Sequence, residues 1–172
     1  VTFQKIADAY GITRTTLYIY FKNKREIFTW SIKQLTEELE SMLMTIIKDD
    51  SLTSEECLRR TLSWIIDACT ARLQMFDVLL QYLMQIKKNG DDPSARVHRR
   101  VLRVQHLLSM LIIRGQKSGE FKKIPVKDAN ELLYSLIESA IFRIAVLAEK
   151  DVTSVKKSLN LAVDGFLKRS YI

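Results

Sequence analysis

Apolar residues recur at intervals of three and four along almost the whole of this 172-residue chain, and no stretch alternates convincingly with a period of two. The first spacing lines one face of an α-helix, whereas a half-buried strand needs the second. Five glycines and two prolines interrupt the pattern, and 47% of the residues are hydrophobic. The sequence therefore predicts an all-α protein with a packed core, not a disordered chain.

Capping and turn residues divide this pattern into helices. Asn23, with Glu26 three residues later, predicts the start of a long helix, and Pro93 suits the first turn of another. A bend near 72–76 would let the periodic stretch 54–86 serve as two packed helices. The other predicted helices are 2–10, 13–21, 23–48, 94–117, 126–148 and 153–171.

The net charge of +7 suggests a polyanionic partner, but its distribution along the chain is uneven. Residues 1–30 hold five basic and two acidic side chains, while residues 87–123 hold ten and three. Basicity alone would therefore indicate the middle of the chain as the binding region.

The first two predicted helices have the spacing of a helix-turn-helix. Gly11 falls in the tight turn, where glycine adopts a positive φ at little cost, and Ala7 is small enough for the helices to cross closely. Ile6, Ile12 and Leu17 are apolar where the shared core should lie. The opposite face of the second helix centres on Thr15 and Ile19, a mixture that can hydrogen-bond phosphates or base edges and pack on a thymine methyl.

These residues resemble the N-terminal signature of the TetR family of bacterial transcription regulators. The similarity lies in the string 6–13, in Thr16-Leu17-Tyr18, in Tyr20-Phe21 and in Lys24. It implies phosphate contacts by Thr2, Lys24 and the hydroxyls of the two tyrosines, and base contacts by residues 14–16. The predicted DNA-contacting residues are Thr2, Thr13, Arg14, Thr15, Thr16, Tyr18, Ile19, Tyr20 and Lys24.

The resemblance also implies a division into two domains. Residues 1–28 would form the DNA-binding domain, which lacks the helix that precedes the helix-turn-helix in the family, and residues 29–172 a helical domain for effector binding and dimerisation. The implied protein is a dimeric repressor that binds a double-stranded DNA operator and leaves it when a small-molecule effector binds. Two alternatives stay open, a regulator that answers a protein partner and a helical small-molecule carrier that does not bind DNA.

Charged residues inside the most apolar helix indicate where an effector could bind. Glu138 and Arg143 need partners there, which other helices or a ligand cavity could supply. Flexible and aromatic side chains nearby could line that cavity, although at helical spacing they could equally be plain core. The candidate pocket residues are Trp64, Met75, Phe76, Met84, Met110, Glu138 and Phe142.

The last two predicted helices favour a homodimer, because residues 126–148 are apolar on nearly every side and one side would need a second subunit. Two helices from each subunit would form a four-helix interface. The predicted interface residues are Leu133, Ile137, Ile141, Leu159, Val163 and Phe166.

Other chemistry has little support in the sequence. We find no nucleophile–base pair, no phosphate-cradling glycine loop and no metal-ligand spacing, so we expect neither an enzyme nor a metal or other cofactor. No signal peptide or membrane-spanning run is visible, which favours the cytoplasm. A face of four arginines, Arg96, Arg99, Arg100 and Arg103, would be either a solvated surface or a site for an anionic effector or partner.

Overall fold

The computed structural model describes residues 2–167, without the side chains of Arg96 and Arg100, and within that range it contains eight α-helices and no strand. The predicted all-α fold is confirmed. None of these helices is long and apolar enough to cross a membrane. The helices are α1 (Phe3–Tyr10), α2 (Arg14–Tyr20), α3 (Lys24–Ile47), α4 (Ser54–Ala71), α5 (Leu73–Lys88), α6 (Pro93–Ser118), α7 (Val126–Ala145) and α8 (Val152–Phe166).

Local sequence signals account for most helix ends. Asn23 caps α3 by accepting a hydrogen bond from the Glu26 N–H at 3.0 Å, and the Glu26 carboxylate accepts one from the Lys22 N–H at 2.8 Å. Arg72, at φ −127° and ψ 32°, separates α4 from α5. The bend that the sequence predicts near 72–76 is therefore confirmed.

Two predicted helix ends were placed too late. The helix from residue 126 ends at Ala145 and not at Ala148, because the Arg143 carbonyl accepts the Glu149 N–H at 3.0 Å while the Arg143 guanidinium pairs with the Glu149 carboxylate at 2.9 Å. The last helix ends at Phe166, since Leu167 turns extended and forms an isolated antiparallel bridge with Phe121. The predicted end at Tyr171 lies outside the described residues.

The buried side chains form two separate apolar clusters. The larger one joins α3, α4, α6, α7 and α8, with Leu58, Leu108 and Leu133 fully enclosed. The smaller one holds α1, α2 and the first turns of α3 together, and it includes Val78 and Leu79 of α5. The N-terminal helices therefore complete their core with a helix of the bundle, and α3 and α5 connect the two parts of the molecule.

A capping box at the start of α4 yields a stability prediction. The Thr53 hydroxyl accepts from the Glu56 N–H at 3.1 Å, while the Glu56 carboxylate accepts from the Thr53 N–H at 2.9 Å. We expect Thr53→Ala to lower the free energy of unfolding by about 0.5–2 kcal/mol in a denaturant titration, because an N–H of the first turn loses its partner. Thr45→Ala, in the interior of α3, is the control and should change stability little. Equal effects of the two substitutions would contradict a capping role.

Candidate DNA-binding site and ligand cavity

A glycine turn sets the angle between α1 and α2. Gly11 ends α1 in the left-handed conformation, with φ +63° and ψ 28°, and its N–H donates to the Asp8 carbonyl at 3.1 Å. The Ile12 N–H then donates to the Ala7 carbonyl at 3.0 Å. Thr13 caps α2, its hydroxyl accepting from the Thr16 N–H at 3.1 Å. An L-side chain is strained at the Gly11 backbone angle, so the tight reversal depends on glycine.

The two faces of α2 differ sharply in exposure. Leu17 is buried against Ile6 and Ala7 in the small core. Thr15 lies exposed on the other side of the helix, and Ile19 and Tyr20 each keep 73% of their surface accessible. An exposed isoleucine among hydroxyl groups gives this short helix a surface able to make both polar and apolar contacts.

A cluster of aromatic and cationic side chains flanks that face. Phe3 and Tyr18 stack with ring centroids 4.6 Å apart, and the Lys24 ammonium lies 5.7 Å from the Phe3 ring centroid. The Arg14 guanidinium donates to the Tyr18 hydroxyl at 3.0 Å and lies 5.4 Å from the centroid of its ring. Two cations from different helices are therefore held beside the start of α2, in a form suited to contact phosphates.

One predicted core residue lies elsewhere. Ile12 was expected to face the shared core, but 39% of its surface is exposed, because the turn after Gly11 carries it outward. Its place is taken by Val78 and Leu79, which come from α5 and are 66 or more positions away in sequence. A pattern confined to the first 28 residues could not have indicated them.

Comparisons with known proteins agree with this geometry. Residues 1–29 match the family model described as bacterial regulatory proteins, tetR family. This match covers the helix-turn-helix and the start of α3. No curated protein gives a significant match to the sequence.

Solved structures share the fold over nearly the whole chain. The TetR-family regulator PfmR from Thermus thermophilus superimposes with a TM-score of 0.72 at 19% identity, covering 98% of this chain and 90% of its own. A TetR regulator from Streptomyces coelicolor gives 0.68 at 20%, with 96% and 86% covered, and one from Haloarcula marismortui gives 0.67 at 19%, with 98% and 88% covered. The chain therefore has the all-α fold of these solved structures.

The helical bundle contains a cavity of about 180 Å³ between α3, α4, α5, α6 and α7. Its wall is mainly apolar and includes the rings of Trp64, Phe76 and Tyr134. Leu39 of α3 and Ile141 of α7 close opposite sides. The cavity thus touches both α3 and α5, the helices that also pack against α1 and α2.

Four polar side chains border this cavity in two pairs. The Arg72 guanidinium donates to both carboxylate oxygens of Glu38, at 2.7 and 2.8 Å. Tyr134 stands one turn before Glu138 on α7, and burial together with the charge of that carboxylate raises the pKa of Tyr134 to about 12. The phenol therefore keeps its proton at neutral pH.

The predicted pocket residues separate into three groups. Trp64, Phe76 and Glu138 line the 180 Å³ cavity together. Met75 lines a neighbouring cavity at the junction with the DNA-binding helices. The structure does not bring the other three there: Met84 and Phe142 face an open groove between α5 and α7, and Met110 is exposed on α6. Helical periodicity marks them as apolar without fixing which way they face.

Sequence reasoning missed most of the cavity wall, including its charged pair Glu38 and Arg72 and the phenol of Tyr134. Tyr134 had a usable signal, because it stands four positions before Glu138 and so shares its helix face. Glu38 and Arg72 had no such signal, because these two paired residues are 34 positions apart in the sequence.

The predicted dimer residues are taken up by the subunit itself, so that selection was wrong. Five of the six are buried in the larger core, and the sixth, Ile141, lines the cavity. On α7 the exposed apolar side chains are instead Leu132 and Phe142, each with 50% of its surface accessible, and on α8 Leu161 keeps 70%. The five core residues are Leu133, Ile137, Leu159, Val163 and Phe166.

The arginine face of α6 meets an acidic residue of another helix. Arg103 pairs with Glu40 of α3 at 3.3 Å, while Arg99 lies exposed. The side chains of Arg96 and Arg100 fall outside the description. Because Arg103 keeps 69% of its side chain accessible, this ion pair contributes little to stability.

Proposed function

We propose that this chain is a homodimeric repressor that binds a double-stranded DNA operator and releases it when a small molecule occupies the bundle cavity. The exposed face of α2, from Thr13 to Tyr20, carries this proposal. A short helix with exposed hydroxyl-bearing side chains, an apolar tip and flanking cations fits the major groove of DNA. The protein has no catalytic role in this proposal, and it acts in the cytoplasm, where the operator is.

We assign the DNA contacts by position on the domain. Thr15 and Ile19 lie on the outermost part of α2 and would contact bases, with Thr16 beside them. The Phe3–Tyr18 stack presents Arg14 and Lys24 to the phosphates. The remaining contacts proposed to the phosphate backbone are those of Thr2, Thr13 and Tyr20.

Two helices connect the cavity with the DNA-binding helices. On α5, Phe76 lines the cavity, while Val78 and Leu79 pack in the small core. On α3, Leu39 lines the cavity and Phe28 is buried in the small core, its ring stacked on Tyr82 with centroids 3.7 Å apart. A ligand that shifts either helix would therefore reorient α2. It needs only to bind the two geometries with unequal affinity.

The open face of α7 and α8 supports a two-fold dimer. Leu132, Ser139 and Phe142 follow one exposed side of α7, away from the core side and from the cavity side of the same helix. Leu161 is exposed on α8. Pairing these surfaces would form a four-helix interface and set the separation of two α2 helices, which must be about 34–36 Å to reach successive major grooves. We keep residues 1–28 as the DNA-binding domain and 29–172 as the effector and dimerisation domain.

The cavity favours a small-molecule effector over the alternative of a regulator with a solid core. A bundle that answers only a protein partner has no use for a space of about 180 Å³ bordered by two carboxylates. The exposed face of α2 likewise favours a DNA-binding protein over a carrier that does not bind DNA, because a carrier gains nothing from exposing Ile19.

Operator binding tests this function. We expect the protein to bind duplex DNA from its own promoter region in a mobility-shift assay, with affinity that falls steeply as salt rises. Thr15→Ala should relax sequence preference, with a loss of about 1–3 kcal/mol if it contacts a base edge. Lys24→Ala should weaken specific and nonspecific binding alike.

Arg14→Ala separates two roles for this residue. Loss confined to the specific sequence would place its guanidinium on a base, whereas equal loss on all sequences would place it on phosphate, as its contact with Tyr18 favours. Lys48→Gln, at the far end of α3, is the control for net charge. Full-length protein that binds no promoter DNA at low salt would overturn the proposed function.

A further inference from the structure

Aromatic side chains from three helices line the bundle cavity. Trp64 of α4, Phe76 of α5 and Tyr134 of α7 contribute their rings, and aliphatic side chains form most of the remaining wall. Ring faces carry a negative electrostatic potential, so they attract cations as well as apolar groups. A space with these walls accepts an apolar molecule and does not oppose a positive charge on it.

The charges around the cavity do not balance. Glu38 and Arg72 neutralise each other through two hydrogen bonds, at 2.7 and 2.8 Å. Glu138 is a second carboxylate, and among the described residues of the wall Arg72 is the sole cation. Tyr134 is a neutral phenol and supplies no positive charge. Glu138, which is exposed to solvent, is therefore a carboxylate that no described wall residue pairs with.

The same charged residues of the cavity wall disfavour an anionic ligand. Its carboxylate or phosphate would need a cation, and the guanidinium of Arg72 is already bound to both oxygens of Glu38. Releasing Arg72 would leave Glu38 as a second unpaired carboxylate beside the ligand. A neutral ligand would contact the apolar wall but would form no ion pair with the Glu138 carboxylate.

Volume limits the size of the ligand. An engineered cavity of about 150 Å³ with an apolar wall accepts benzene. The 180 Å³ here corresponds to a single ring with a small substituent.

We propose that the effector is a small hydrophobic cation, a ring-sized apolar body that carries one positive group beside Glu138. This inference rests on the proposed function, because it assumes that the cavity is the effector site. The apolar body lies against Trp64, Phe76 and Tyr134, and the cation replaces water at the Glu138 carboxylate.

Two probes of the same shape test the role of charge. Phenyltrimethylammonium and tert-butylbenzene differ in the atom that joins the ring to its three methyl groups, a cationic nitrogen in one and a neutral carbon in the other. In calorimetric titrations of the full chain, we expect the cation to bind at least about ten times more tightly, a difference of 1.4 kcal/mol. Equal or tighter binding of the neutral probe, or binding of neither, would overturn the proposal.

A substitution at Glu138 tests the position of the charge. Glu138→Gln keeps the shape and removes the carboxylate, so it should weaken the cation about tenfold and leave tert-butylbenzene unchanged. Glu131→Gln removes the same charge from an exposed position of α7 outside the cavity wall and should alter neither affinity. A cation preference that survives Glu138→Gln would refute the assignment. Thermal melts of both variants should match the parent protein.

Operator release separates this inference from the proposed function. If the cation binds through Glu138 but does not release DNA, the ligand class stands and the release mechanism fails. If tert-butylbenzene binds more tightly and releases DNA, the cavity is an effector site and the cationic class is wrong.

Discussion

Leu132→Glu together with Leu161→Glu is expected to convert the protein to a monomer at micromolar concentration and to lower its operator affinity by about 10²–10⁴-fold. Both leucines lie on the open face of α7 and α8, with 50% and 70% of their surfaces accessible in the single chain. Burying two carboxylates per subunit in an apolar interface is costly. Without the dimer, each half-site binds separately and the gain from bivalent binding is lost.

Sedimentation and a mobility-shift assay measure these two effects. Because both positions are exposed in the subunit, the melting temperature of the monomer should show that its fold is intact. Lys48→Gln is the control for charge, because it lowers the net charge by one, as each glutamate does. Lys48 lies at the other end of α3 from Lys24, about 36 Å away along the helix axis. A variant that remains a dimer would exclude this face as the interface.

Gly115→Ala is expected to destabilise the protein by about 1–3 kcal/mol or more, the range for adding a methyl group to a packed core. A Cβ at Gly115 would lie 2.2 Å from Cδ2 and 2.5 Å from Cε2 of Phe121. Phe121 is buried, its N–H donates to the Gly115 carbonyl at 2.9 Å, and it forms the bridge with Leu167. The ring cannot move aside without disturbing the link between the end of α6 and the end of α8.

Denaturant unfolding of matched variants measures this cost. Gly165→Ala adds the same methyl group to α8, where no atom lies within 4 Å of the new Cβ, and it should be neutral or stabilising by up to about 1 kcal/mol. Phe121→Leu should relieve part of the clash, so the double variant should lose less stability than the two single changes added together. Additive losses would show that the ring is not the obstacle.

The position of polar groups in the cavity shows why pocket residues were harder to predict than helices. Glu138, which lines the cavity, could be singled out as a candidate because a charge within an apolar helix needs a partner whatever the fold. The Arg72–Glu38 pair had no such signal, since it depends on how the corner between α4 and α5 lies against α3. Met84 and Met110 show the opposite error: they are apolar at helical spacing and yet lie at the surface.

The sequence alone determined what depends on near neighbours. Asn23 with Glu26, the Gly11 turn and the Thr13 cap act through hydrogen bonds that span three to five residues, so the helix-turn-helix and the all-α class could be predicted from the residues themselves. The periodicity only allowed a bend near 72–76, and the structure places it at Arg72.

Tertiary structure decided which neighbour covers each apolar face. A stripe such as Leu133 and Ile137 shows that one side of α7 is buried, but burial by the same subunit and burial by a second one produce the same stripe. Val78 and Leu79 complete the DNA-binding core for a similar reason, because hydrophobic burial is non-directional and any adjacent helix can supply it. The subunit's own core took the most apolar side of α7, and the less apolar side, with Leu132 and Phe142, stays exposed in the single chain.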